Sequence, residues 1–283
     1  MKRIYLIGGR GRLGQALARE YANDEVVALD RTVYEVWSRE GAAGQVARYF
    51  DRLPSDTLIF VTSGLLDPRL PEEALLGVNY FLPKHVIDAV SPLGMRVITF
   101  GTAMEALSRA NNPYIESKRR LSRYINDSVS AGGAGLHLQI HTLYGEGEPT
   151  PFMFLGQILA AIRQREVFRM TSGRQLREYH HLADDARAIR SLVESGLRGT
   201  VALSHGKPVT LREIAEIIFR AVGKSELLEV GALPDSEEEN YERIFEPAVL
   251  PWAIEFRDSL PAIAEYLKTC LLKDPGLGEE RVQ

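Results

Sequence analysis

A chain of 283 residues is long enough to bury a substantial core, as one large domain or as a domain plus a lobe. Hydrophobic residues at 45% and charged residues at 25% are ordinary globular values, and a net charge of −4 gives no global attraction to nucleic acid or to an acidic membrane. Cys270 is the only cysteine, which excludes an intrachain disulfide and leaves a soluble cytoplasmic protein as the expectation.

The first apolar run, residues 4–7, stops at Gly8-Gly9 and is too short for a signal-peptide core or a membrane span. It reads as a strand, followed by a helix with Leu13, Ala16, Leu17 and Tyr21 at helical spacing. Further strands are predicted over 26–29, 57–62, 96–100 and 136–141. Between them lie helical segments such as the one carrying Leu75, Asn79, Leu82 and Val86. Nearly continuous apolar strands alternating with helices indicate a parallel sheet covered on both faces. After Leu143-Tyr144-Gly145 the texture changes, with a loop over 145–151 and more irregular segments beyond it. A helix over about 184–194, a strand over 200–203 and a helix begun by a Thr210/Glu213 capping box follow. The acidic stretch 235–240 reads as a solvated loop.

The turn after the first strand is Gly8-x-x-Gly11-x-x-Gly14. Gly8 permits the tight strand-to-helix turn, Gly11 lets a pyrophosphate approach the backbone, and Gly14 lets helix and strand pack closely. Arg10, Arg12 and Leu13 belong to the same loop, whose helix N-terminus offers free N–H groups to phosphate. Asp30 closes the second strand, where a carboxylate accepts hydrogen bonds from ribose hydroxyls and favours NAD. Arg31 and Arg10 argue for the 2′-phosphate of NADP. The choice stays open at this level.

Tyr114 and Lys118 stand one helical turn apart on one face. An ammonium beside a phenol lowers its pKa from about 10, so that it can pass a proton to or from a carbonyl oxygen while hydride moves at carbon. Thr102, just past the strand over 96–100, is placed to hold that oxygen. Tyr80 and Lys84 repeat the spacing one helix earlier, so at least one match is accidental. Asn79 falls in an apolar stripe, and Pro83 removes the helical partner of its carbonyl. Two readings follow: the freed carbonyl holds a water that reaches Lys118, or the asparagine is satisfied locally within a kinked helix.

Taken in this order, the glycine loop, Asp30, Asn79, Thr102 and Tyr114-x-x-x-Lys118 resemble the extended short-chain dehydrogenase/reductases, the NAD-dependent epimerase/dehydratase group. Leu143-Tyr144-Gly145 and the stretch from Arg177 to Asp185 resemble later segments of that group, so the likeness covers nearly the whole chain. The resemblance implies an α/β Rossmann doubly wound parallel sheet over 1–144, completed by about 179–204. A smaller C-terminal substrate-binding lobe would comprise 145–178 and 205–283. It implies NAD or NADP as cofactor, held by the glycine loop, Asp30, Arg31, Thr62, Ser63, Gly64, Tyr114 and Lys118. Thr102, Tyr114, Lys118 and Asn79 would be catalytic, with Arg177 and Tyr144 on the substrate. No metal site is expected, and a homodimer is implied through the helices of Asn79 and Tyr114. Residues 113–119 and 173–177 look most like reductases of nucleotide-linked 4-keto-6-deoxy sugars. A nucleotide-sugar epimerase with retained NAD and a non-catalytic NAD(P)-binding regulator are the alternatives. Three departures from the group are visible: a short link from Thr102 to Tyr114, Gly101 where many members carry a hydroxyl, and Thr62-Ser63-Gly64 at a usually Ala-rich strand end.

Overall fold

The structure is a computed structural model in which residues 1–107 and 112–273 are described. The chain divides into two compact units. The first comprises 1–140, 186–203 and 248–254, and the second 141–185, 204–247 and 255–283.

The first unit is built on six parallel strands: β1 Arg3–Ile7, β2 Glu25–Ala28, β3 Leu58–Val61, β4 Arg96–Thr102, β5 Leu136–Ile140 and β6 Gly199–Ala202. Their order across the sheet is β6-β5-β4-β3-β1-β2. Every residue of β3, Leu-Ile-Phe-Val, is buried, as a strand covered on both faces requires. The longer helices are α1 Arg12–Glu20, α2 Ala43–Phe50, α3 Leu82–Val90, α4 Pro113–Ser130 and α5 Leu182–Glu194, the last beginning in the second unit. Val46 and Phe50 of α2 and Val86 and Val90 of α3 join Ile7, Ile59 and Val61 of the sheet in one apolar core. The chain reverses its direction of winding between β1 and β3, and in open α/β sheets ligands bind beyond the carboxyl ends of strands at such a point. Gly8 and Thr62-Ser63-Gly64 follow those two strand ends.

Two local features place the candidate side chains. Asn112 caps α4, accepting from the N–H groups of Tyr114 (3.0 Å) and Ile115 (3.3 Å), and Pro113 takes the first helical position, where no N–H is needed. Tyr114 therefore stands in the first turn. Ahead of α3, residues Gly77–Phe81 form a wide π-turn in which the N–H of Leu82 reaches the Gly77 carbonyl. Pro83 accounts for it, since a missing N–H one turn on disturbs the regular ladder.

In the second unit, Thr142–Tyr144 pairs in parallel with Tyr179–His181, and Phe168–Met170 with Leu228–Val230. Leu176–Arg177 pairs antiparallel with Val209–Thr210. Helices Phe154–Gln164, Leu211–Ala221 and Ser259–Leu272 pack their apolar sides into a separate core containing Ile158, Ile218 and Leu267. Thr210 and Glu213 form the expected capping box. Among the described residues, no helix is long and apolar enough to cross a membrane.

Candidate active site

Gly8 has φ +91°, and a Cβ there would lie 2.5 Å from the Ser63 nitrogen. Gly14 faces the same turn, where a Cβ would stand 2.6 Å from the Gly8 carbonyl oxygen. Both positions thus admit only glycine. Gly11 differs: its Cβ would meet only that same carbonyl oxygen, at 3.3 Å, so the rest of its surroundings is open. Gly11 also caps α1 with no side-chain hydrogen bond, leaving the helix start to backbone donors. Arg12 and Leu13 occupy the first helical turn, half-buried. An open glycine at an uncapped helix N-terminus suits a phosphate-bearing group. The Thr62 hydroxyl is turned back onto the Ile7 carbonyl, at 3.1 Å.

Asp30 caps a short turn, Oδ1 accepting from the N–H (3.0 Å) and hydroxyl (2.9 Å) of Thr32, while Oδ2 meets Arg10 at 2.5 Å. These bonds, those from Thr32 first, hold its carboxyl below the usual carboxylate range. The two residues that argued for opposite cofactors are thus one exposed ion pair. Arg31 points outward, 79% exposed and 4.0 Å from Glu35.

Thr102 is the last residue of β4 rather than a residue beyond it, and its hydroxyl accepts from the Met104 N–H at 3.3 Å while acting on the Tyr114 phenol, whose pKa it pulls down. Lys118 is 6% exposed, and its Nζ donates to the Phe100 carbonyl at 2.9 Å. The Asn79 amide is satisfied locally: Oδ1 accepts from Leu65 N, while Nδ2 donates to the Leu65 carbonyl, each at 2.9 Å, and to Ser117 Oγ at 3.1 Å. Asn79 and Lys118 nevertheless converge, because a Cβ on Gly64 would lie 3.4 Å from Asn79 Oδ1 and 3.5 Å from Lys118 Nζ.

The electrostatics differ from the sequence expectation. Burial, and then the Glu105 carboxylate, push the Tyr114 phenol up to about 12, against the Thr102 hydrogen bond that pulls it down. A depression by Lys118 is not what acts here. Burial instead brings the Lys118 ammonium down to about 8, with Glu105 opposing.

Glu105 was not legible in the sequence, where it is one glutamate in a short link. It is 8% exposed and accepts from the Thr102 N–H at 2.7 Å and from Gln139 Nε2 at 3.0 Å. His137 Nε2 lies 3.3 Å from it, and His137 Nδ1 is 2.8 Å from the Thr99 hydroxyl. A Cβ on Gly101 would stand 2.0 Å from Glu105 Oε1 and 2.2 Å from His137 Nε2. A side chain at position 101 would therefore meet a buried carboxylate and imidazole that fill that space. Residues 108–111, the middle of the short link to Tyr114, lie outside the described residues.

A family model, the NAD dependent epimerase/dehydratase family, matches residues 4–202. The chain belongs to this family. Membership brings with it the cofactor class, a nicotinamide dinucleotide, and the residues of the glycine turn fit it, with Gly11 open and the α1 terminus uncapped. No curated protein matches the sequence. Among solved structures, a UDP-N-acetylglucosamine 4-epimerase from Methanobrevibacter ruminantium in complex with UDP-N-acetylmuramic acid is 14% identical (TM-score 0.78, covering 96% of this chain and 99% of that one). TunA, an NAD-dependent NDP-hexosamine 5,6-dehydratase of tunicamycin biosynthesis, is 17% identical (TM-score 0.79, covering 99% and 100%). A dTDP-4-dehydrorhamnose reductase from Clostridium acetobutylicum is 15% identical (TM-score 0.72, covering 95% and 99%). At such identities the likeness is one of fold.

One substrate expectation drawn from the epimerase/dehydratase family changes in the second unit. Tyr144 is 1% exposed, its ring edge-on to His181, and so belongs to the core rather than to a substrate surface. The following Gly145 has φ +114°, and a Cβ there would strike the His181 ring at 2.3 Å, so Tyr-Gly is a packing motif here. Arg177 is held by the Leu176 carbonyl and by an ion pair with Glu239. The stretch 235–240 is therefore more than solvated loop: Asp235 also accepts from the Ser172 N–H at 2.9 Å and meets Arg174 at 3.2 Å.

Proposed function

We propose that this protein reduces the 4-keto group of a nucleotide-linked deoxy sugar with NADH or NADPH. What supports the reading is the burial of the Tyr114 phenol near the Glu105 carboxylate, which pushes it up to about 12 and favours its protonated form. Ketone reduction calls first for a proton donor, and a phenol at that pKa is one throughout the neutral range. Epimerisation and dehydration of a sugar alcohol begin instead by removing a hydroxyl proton, which requires the phenolate.

The dinucleotide, when bound, supplies the hydride. Tyr114 then delivers its proton to the developing alkoxide at C4, and the Thr102 hydroxyl holds the same oxygen. Lys118, anchored through the Phe100 carbonyl, holds the ribose of the cofactor. Arg177, once released from Glu239, meets the phosphates of the nucleotide. The nucleotide sugar in the solved Methanobrevibacter epimerase supports this substrate class. A homodimer through the helices of Asn79 and Tyr114 belongs to the same proposal, and light scattering checks it.

The test is to incubate the purified protein with NADH or NADPH and a panel of nucleotide-linked 4-keto-6-deoxy sugars. Consumption of the reduced cofactor with formation of a C4 alcohol is expected. Protein that purifies with tightly held NAD, and interconverts C4 epimers without added cofactor, overturns the reductase in favour of an epimerase.

A further inference from the structure

The second unit contains a group of ionisable side chains that the proposed reaction does not use. His180 lies in the strand Tyr179–His181, Glu178 immediately precedes it and His141 immediately precedes its partner Thr142–Tyr144; their side chains are 0%, 2% and 6% exposed. One oxygen of Glu178 lies 3.0 Å from His180 Nε2 and 3.8 Å from His141 Nε2. The three ligand atoms all fall within 4.8 Å of one another. His141 Nε2 is buried with no hydrogen-bond partner. Such an orphan nitrogen is unfavourable unless something occupies its lone pair.

We infer that His141, Glu178 and His180 form a binding site for one divalent transition-metal ion, of the zinc class. The ligand set is the first argument. Two imidazoles and a carboxylate form a three-ligand set known for zinc, which leaves a fourth position for solvent or another ligand. Geometry is the second. Tetrahedral bonds of about 2.1 Å place ligand atoms about 3.4 Å apart. The separations of 3.0 and 3.8 Å from Glu178 straddle that value. The third separation, between the two histidines, is at most 4.8 Å.

The surrounding groups are those a metal site needs. His180 Nδ1 is 2.6 Å from Asp185 Oδ1, the carboxylate–histidine arrangement that turns Nε2 toward a metal. Glu178 is steadied by the Ser204 hydroxyl at 2.7 Å and the His205 N–H at 3.0 Å. Phe245 packs edge-on against His141, and Phe256 packs at a tilt against His180, which keeps the site apolar at its rim. Glu178 and Asp185 are both buried carboxylates, and a divalent cation balances two negative charges that one imidazolium balances only in part. His205 Nδ1, 3.4 Å from Glu178 Oε2, accepts from the Lys207 N–H and so stays outside the ligand set.

The experiment uses the full chain. Elemental analysis of protein purified without chelator is expected to find about one zinc per chain. Protein stripped by chelator is then titrated with Zn2+ by calorimetry, and with Co2+ while the absorption of a tetrahedral cobalt site is followed. One saturable site of micromolar or tighter affinity is expected for each ion. His141→Ala and the near-isosteric Glu178→Gln should each weaken it by at least about 100-fold, while circular dichroism reports whether they fold. Absence of metal in the purified protein, together with no uptake of either ion below about millimolar concentration, overturns the site. So does wild-type affinity in a folded His141→Ala. The wild-type titration decides the matter if both variants misfold.

Discussion

Two helical turns of this molecule carry the same pair of residues at the same spacing, and they have become different things. Lys84 reaches Asp88 at 2.5 Å and lies over the Tyr124 ring at 5.0 Å, while Tyr80 packs edge-on against that ring. Lys84 is 29% exposed, and its charge is neutralised within its own helix. Lys118 is buried, donates to a strand carbonyl and converges with Asn79 beside Gly64, while Tyr114 meets Thr102 and feels Glu105. Spacing makes two side chains neighbours. What surrounds them decides whether they are a partly exposed pair or a buried pair beside a carboxylate.

The comparison breaks most easily at the tyrosines. Tyr114→Phe should lower turnover by about 10²–10⁴-fold while leaving cofactor binding nearly intact, because only the proton is lost. Tyr80→Phe should leave turnover unchanged, and equal losses in the two variants would erase the distinction. The lysines come next. Lys118→Ala should raise the KM for cofactor and lower kcat together, whereas Lys84→Ala should cost at most about 1 kcal/mol of stability in a denaturant titration. Lys118 is charged below about 8 and neutral above it, so kcat/KM should fall as pH rises through that value. Alkaline activity that persists beyond it would remove the ammonium from the account.

Gly101→Ala sharpens the role of the surroundings. Its new methyl would press on Glu105 and His137, with an expected loss of about 1–3 kcal/mol seen as a lowered Tm. An unchanged Tm would mean that the carboxylate and imidazole are not packed as described. The smallest effect belongs to Asp30, which is exposed and already paired with Arg10. Asp30→Ala should free Arg10 and shift the affinity ratio severalfold toward NADP in a fluorescence titration.

The parallel sheet, the glycine turn and the acid at the end of β2 could be read along the chain because each rests on short-range chemistry. Apolar runs mark strands, glycines mark a backbone that no side chain allows, and a four-residue spacing marks one face of a helix. Glu105, His137 and Gly101 could not be read that way, since they meet across β4, β5 and the link beyond β4. The same holds for His141 and His180, 39 positions apart in number and stacked with ring centroids 5.1 Å apart. Tyr144 departs from its expectation for a related reason: a motif records which residue stands at a position, whereas burial among His181 and Tyr266 is decided by segments far along the chain. Linear order therefore carried the fold and the spacing of the proposed reacting groups. Protonation, accessibility and the clustering of buried histidines came from packing, because desolvation and charge act through space between residues that sequence keeps apart.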